Sequence, residues 1–292
     1  MLKKKKQHYI PIFYLKYFID PDTLNNKDPF LWVFDKKSKK MFAKSPKNIA
    51  YENYYYSYEI DNEKIDYIEN NFSEIENDVS YLFKKILDDK ELFKEVEERY
   101  LFSKFICSMY NRTPKARKHD GINFQNIMKS EFMKLANSEG GIEKFLVNRN
   151  KECSAETFLN SFNKIKVAPE KHILLELMIK PLKKMIPHFA VRNWTFLIPE
   201  NESDYFITSD HPVFPFDSNC NYELNVPGFI EDETDIYFPI SPNICLLASF
   251  RLNEEFINIE HNDVRWINNN HINWAERYIF TGNKNFIPRN TV

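Results

Sequence analysis

The sequence predicts an α+β fold, in which a mixed or antiparallel sheet formed from the N- and C-terminal segments encloses a large all-helical insertion. Apolar and aromatic residues cluster between short polar turns near both ends, whereas between about residues 61 and 190 they recur at the three- and four-residue steps of a helix. An isolated two-stranded hairpin is only marginally stable, so the strands near residue 30 need those beyond residue 190. The 292 residues are read as a single domain, 1–292, with a strand-rich part at 1–60 and 191–292 and a helical part at 61–190.

Taken in order, Ile10 to Phe18 is aromatic and contains Pro11, which suits either a short helix or a strand. Phe30–Phe34 and Lys40–Ala43 flank a polar turn and read as a hairpin. From about Asn62 to Asp88, Ile65, Ile68, Phe72, Ile75, Val79, Leu82 and Ile86 make one apolar stripe of a helix. A second helix, about Lys90 to Asn111, is ended by Pro114 and pairs with the first. A third runs from about Asn123 to Asn137, ahead of Gly140 and Gly141, and the polar segment Asn148–Ser154 reads as surface. His172–Met185 closes the helical region, kinked at Pro181. Trp194–Ile198, Tyr205–Thr208, Asp235–Pro239 and Ile244–Phe250 read as strands. A last helix spans about Asp263 to Tyr278, with Val264, Ile267, His271, Trp274 and Tyr278 along one side.

Composition narrows the function. Apolar residues make up 43% and charged residues 28%, the balance of a folded protein. With 5 glycines and neither a dinucleotide fingerprint nor a P-loop, the classical nucleotide-binding folds are not expected. The net charge of −2 includes two basic clusters, Lys3–Lys6 and Lys115, Arg117, Lys118 with His119, which read first as solvated faces. Cys107, Cys153, Cys220 and Cys245 lack the close pairs of zinc sites. No run approaches a membrane-spanning length, and the lysines at the start lead into Gln7-His8-Tyr9 rather than into an apolar leader, so the expected location is the cytoplasm, away from the membrane.

Four polar constellations bear on chemistry. Thr208-Ser209-Asp210-His211-Pro212 ends a strand with hydroxyl, carboxylate and imidazole; its plainer reading is a turn in which Ser209 and Asp210 bond backbone donors. His8 follows Gln7 ahead of Pro11, either as a structural histidine or as a ligand. Glu52 stands between Tyr51 and Tyr54–Tyr56, as a base or as the first acidic group ahead of a helix. Glu69 and Glu76 are seven apart, hence on nearly one helix face, where they are solvated, bridge a cation or meet Arg112. Together His8, Glu52, Asp210 and His211 are the ligand types of a metal-dependent hydrolase, for which magnesium or manganese would be the cofactor.

These motifs resemble a bacterial domain-of-unknown-function family, numbered 4238, over nearly the whole chain. The resemblance rests on His8-Tyr9-Ile10-Pro11 with Phe13-Tyr14-Leu15, Trp32-Val33-Phe34-Asp35, and Ser45-Pro46-Lys47-Asn48-Ile49-Ala50-Tyr51-Glu52. It continues with Tyr55-Tyr56-Ser57, Ile75-Glu76, Arg112-Thr113-Pro114, Arg192-Asn193-Trp194, Phe206-Ile207-Thr208-Ser209-Asp210-His211-Pro212 and Phe238-Pro239-Ile240-Ser241-Pro242. The family pattern more often has asparagine where this chain has His211, which makes Asp210 the stronger candidate. The resemblance implies a setting among bacterial antiviral defence genes.

The leading expectation is therefore a phage-defence effector acting as a metal-dependent nuclease or other hydrolase. Asp210, His8 and Glu52 would be catalytic, with His8, Glu52, Asp210 and His211 on the metal. Arg112 or Lys115 would stand near phosphate, and Arg112, Tyr14, Ser209 and Trp194 would be the substrate contacts. Nucleic acid is then the partner. The alternatives are a non-enzymatic sensor that binds a phage component, with the polar motifs as turns and caps, and a housekeeping hydrolase acting on a small molecule.

Overall fold

The computed structural model describes residues 5–60, 63–136, 168–217 and 228–286, with residues 138, 141, 157 and 288. The chain divides into two compact units, residues 1–115 with 179–292, and residues 116–178. It is α+β, with the helical middle the sequence predicts.

In the first unit, β1 (Lys6–His8) pairs antiparallel with β4 (Tyr51–Asn53). Between them come α1 (Ile12–Leu15), 3-10 turns at Lys16–Phe18 and Pro21–Thr23, and the expected hairpin of β2 (Leu31–Asp35) and β3 (Lys40–Lys44). Pro11 caps α1 from outside, so the segment around it is a short helix and not a strand. A small hairpin, β5 (Tyr58–Ile60) with β6 (Glu63–Ile65), leads into α2 (Tyr67–Leu87). All six helical members of the predicted stripe, from Ile68 to Ile86, are buried in α2; Ile65 lies in β6.

Helix α3 (Val96–Asn111) starts later than its sequence suggests, and α4 (Pro114–Ala136) starts earlier. Pro114 ends the one and opens the other, since proline has no N–H to lose at the first helical position. Helix α4 continues into the second unit, which also holds α5 (Lys171–Ile179) as far as Met178. In that unit burial pushes the Asp120 carboxyl up to about 6. Lys3, Gly140, Asn148–Ser154, Cys153 and Cys220 lie outside the described residues. The break at Pro181 separates α5 from α6 (Leu182–Ala190).

The C-terminal half of the first unit builds two sheets. One has the order β12-β7-β11-β10-β9, from β7 (Asn193–Pro199), β9 (Phe214–Phe216), β10 (Asp235–Ser241), β11 (Ile244–Ser249) and β12 (Glu255–Ile259); only β12 with β7 is parallel. The other has the order β3-β2-β13-β8, all antiparallel, from the N-terminal hairpin, β8 (Thr208–Ser209) and β13 (Tyr278–Thr281). The two ends of the chain thus share a sheet, as the hairpin's need for partners requires.

Alternation along the strands decides what each face covers. On one face of the five-stranded sheet, Leu197, Tyr237, Cys245 and Leu247 pack against Val264 and Ile267 of α7 (His261–Trp274). On the other, Trp194 and Phe238 meet the ring cluster of Phe83, Phe102 and Phe105 from α2 and α3. The remaining side of α7, at Ile272, packs with Phe34, Ile207 and Ile279 of the four-stranded sheet. Strands β10 and β11 are covered on both faces, which is why their sequences run apolar.

Helix α7 stops four residues short of its expected end. Lys36 Nζ donates to the carbonyls of Ile272 and Ala275, at 2.8 and 2.6 Å, and Ala275 is extended, so Tyr278 opens β13. Cys107 and Cys245 are buried free thiols, both pushed up by burial. Among the described residues no helix is long and apolar enough to cross a membrane.

Candidate functional site

The strongest sequence motif turns out to be a structural joint. Asp210 follows β8, and its carboxylate accepts the backbone N–H groups of Glu276, Arg277 and Tyr278 at 3.0, 2.8 and 2.9 Å. Its own N–H donates to the Tyr278 carbonyl, so both sides of the residue are tied to the start of β13. Burial raises its carboxyl to about 6, and the three N–H donors oppose that rise. Ser209 Oγ accepts the His211 N–H at 3.1 Å, the turn that the plainer reading describes.

His211 is buried between the rings of Tyr110 and Trp274, and its Nδ1 lies 2.5 Å from Thr113 Oγ1. Burial, with Lys115 and His271 nearby, holds its pKa well below the ordinary value, so the ring is neutral. Lys115 caps the Trp274 carbonyl, its ammonium over the indole ring. A phosphate role for Lys115 would have to break that cap.

Tyr14, expected as a substrate contact, is fully buried. Its hydroxyl donates to the Pro239 carbonyl and accepts from Thr208 Oγ1, both at 2.6 Å, tying α1 to two strands. Trp194 is equally enclosed: its Nε1 donates to the Phe189 carbonyl and the Arg99 guanidinium lies 4.3 Å from its ring. Arg112 is buried and pairs through Nη1 with Glu76 Oε1 at 2.8 Å, its guanidinium over Phe72. Of the alternatives for the α2 carboxylates, Glu76 therefore meets Arg112.

His8 and Glu52 lie on the paired strands β1 and β4, but His8 stands opposite Tyr51 and Glu52 opposite Gln7, so the two point to opposite faces of the ribbon. Gln7 is buried; its Oε1 accepts the Tyr56 N–H and its Nε2 donates to Ser57. The Tyr9 phenol is raised above its usual range, first by burial and then by the nearby charges of Asp210 and Glu52. Glu52 and Asp210 thus share a neighbour, whereas His8 faces elsewhere.

Where His8 faces is a groove of about 400 Å³ between α2 and the N-terminal segment. Its lining includes Lys6, His8 and Phe13 on one wall, and Glu69, Ser73 and Glu76 on the other. The helix wall is one face by its spacing. Glu52, Asp210 and His211 do not line it. Among the described residues no group of three or more His, Cys, Asp or Glu side chains is placed to hold a metal ion, so His8, Glu52, Asp210 and His211 do not form the expected ligand cluster. Asp210 and His211 are already spent on internal hydrogen bonds.

Sequence reasoning passed over Arg192 as a site residue. Its guanidinium donates to the carbonyls of Thr234, Glu231 and Phe229, holding the chain before β10. Its place in Arg192-Asn193-Trp194, between a helix end and a strand, was the available signal.

The fold defines an α+β protein whose terminal segments complete one sheet and whose polar motifs lock that closure. The chain belongs to the family described as "Protein of unknown function (DUF4238)", whose profile matches residues 6–285. No curated protein and no solved structure matches the chain.

Proposed function

We propose that this chain is a recognition protein of bacterial antiviral defence, and that the groove between α2 and the N-terminal segment takes hold of a phage component. The carrying observation is how the motif side chains are used. Tyr14, Arg112, Thr208, Ser209, Asp210 and His211 hold the fold together through internal hydrogen bonds, and a groove of a size suited to a ligand lies beside them, lined by His8, Phe13, Glu69 and Ser73. Glu69 sets a carboxylate on the helix wall beside the Glu76–Arg112 pair, with Lys6 on the facing wall, which suits a donor-rich segment of a phage protein. The defence setting is what the family resemblance implies.

The test is protection of living cells. Bacteria expressing Ser73→Trp, which fills the groove from its half-buried α2 wall, are expected to plate phage as efficiently as cells lacking the protein, while the purified variant keeps its unfolding midpoint. Full protection by a folded Ser73→Trp overturns the groove assignment.

One observation favours a second reading. His8 shares its groove with Glu69 and Glu76, the residue types of general acid–base hydrolysis. Nuclease or other hydrolase activity would then centre on His8 and not on Asp210. RNA or DNA cleavage in magnesium or manganese that His8→Ala removes would replace recognition with catalysis.

A further inference from the structure

A second, larger cavity of about 780 Å³ lies outside the groove, within the size range of small-molecule sites. Separate segments converge on it: the 3-10 turns after α1, the end of α2, the β10–β11 turn and the chain after β13. Gly282 permits the convergence, because a Cβ there would stand 3.0 Å from the Ile19 carbonyl oxygen.

Lys16, Lys90 and Lys284 line the cavity, and none of their side chains has a hydrogen-bond or ion-pair partner among the described residues. Lys90 is the least ordinary. Its backbone takes φ 54°, the left-handed region that suits glycine, and its side chain is exposed, with its pKa lowered by partial desolvation. Lys16, Lys90 and Lys284 all reach solvent at the rim, where an entering anion meets them first.

The same cavity carries Asp22 and Asp88. Asp20 also lines it, but its carboxylate already accepts the Asp22 N–H and the Trp32 indole N–H. A bare polyanion would be repelled by Asp22 and Asp88. A ligand that sets an anion beside hydroxyl or amino donors satisfies both signs. Aromatic surface is present too: Tyr17 lies flat against Phe83, at 5.5 Å and 11°, and Tyr205 lines the cavity.

We propose that this cavity binds a nucleotide, with Lys16, Lys90 and Lys284 on the phosphate, Asp22 and Asp88 on the sugar hydroxyls, and Tyr17 and Tyr205 beside the base. Side-chain cations replace the glycine-rich loop that the sequence lacks. The site is separate from the α2 groove, so Ser73→Trp leaves it intact.

Calorimetric titration of the purified protein with AMP, GMP, CMP and UMP, beside adenosine, inorganic phosphate and a single-stranded RNA oligonucleotide, tests this. At least one mononucleotide is expected to bind roughly tenfold more tightly than adenosine or phosphate. Lys90→Gly, which accepts the backbone conformation and removes the ammonium, is expected to weaken it by about the same factor without lowering the unfolding midpoint of the free protein. Failure of every mononucleotide to bind at millimolar concentration overturns the proposal, as does binding that survives in Lys90→Gly combined with Lys284→Ala. Preference for the oligonucleotide would assign the cavity to nucleic acid instead.

Discussion

Two buried side chains show how far charge and hydrogen bonding decide the behaviour of single residues. Asp210 holds three successive backbone N–H groups at the start of β13. Asp210→Ala leaves them unsatisfied in a buried site, each such group costing about 1–3 kcal/mol, so the variant is expected to lose about 3 kcal/mol or more in urea unfolding. A loss below about 1 kcal/mol would mean that water replaces the carboxylate. His271 presents the opposite case. Its ring is fully buried, neither nitrogen has a hydrogen-bond partner among the described residues, and burial lowers its pKa to about 3. The unfolded chain takes up a proton near the ordinary value of about 6.5 and the folded one does not, so stability falls as pH drops from about 6.5 towards 3. Passage through that window is worth on the order of 5 kcal/mol for this residue. His271→Phe, which needs no partner, is expected to flatten the acid side of the stability profile measured by urea midpoints; an unchanged profile would refute the assignment.

Elements were legible where one period ran long enough to stand alone. The stripe from Ile68 to Ile86 is nineteen residues of unbroken helical spacing, and α2 follows it. The hairpin of β2 and β3 announced itself through a polar turn between apolar runs. Strands β1, β4, β8 and β13 were harder because each has two to four residues, too few for alternation to show, and each exists through a partner remote in sequence. Tyr278 fits a helical stripe with Trp274 by spacing, but Asp210 and Lys36 withdraw the intervening backbone from the helix. The site divided similarly. Motif spelling located Asp210, Tyr14 and Arg112, but whether a carboxylate meets backbone donors or solvent depends on residues some 66 positions away. The groove beside His8 needs a helix face and a strand brought together, which no local pattern states.

At the scale of the molecule, the closure of the four-stranded sheet is the controlling event. Strand β13 lies between β2 and β8 and pairs with both, so removing it splits the sheet and exposes Ile207, Ile279 and their neighbours. A chain truncated after residue 275 is expected to lose cooperative thermal unfolding and to bind hydrophobic dyes. Retention of a sharp transition would show that the five-stranded sheet and its helices suffice. The same placement sets a schedule for synthesis. Strand β2 leaves the ribosome early, but its inner edge waits for a strand that begins at residue 278. At about 5–20 residues per second, that wait lasts roughly 12–50 seconds. Through that interval the nascent chain carries a bare, apolar strand edge, so its yield in the cell should depend on what shields that edge while translation finishes.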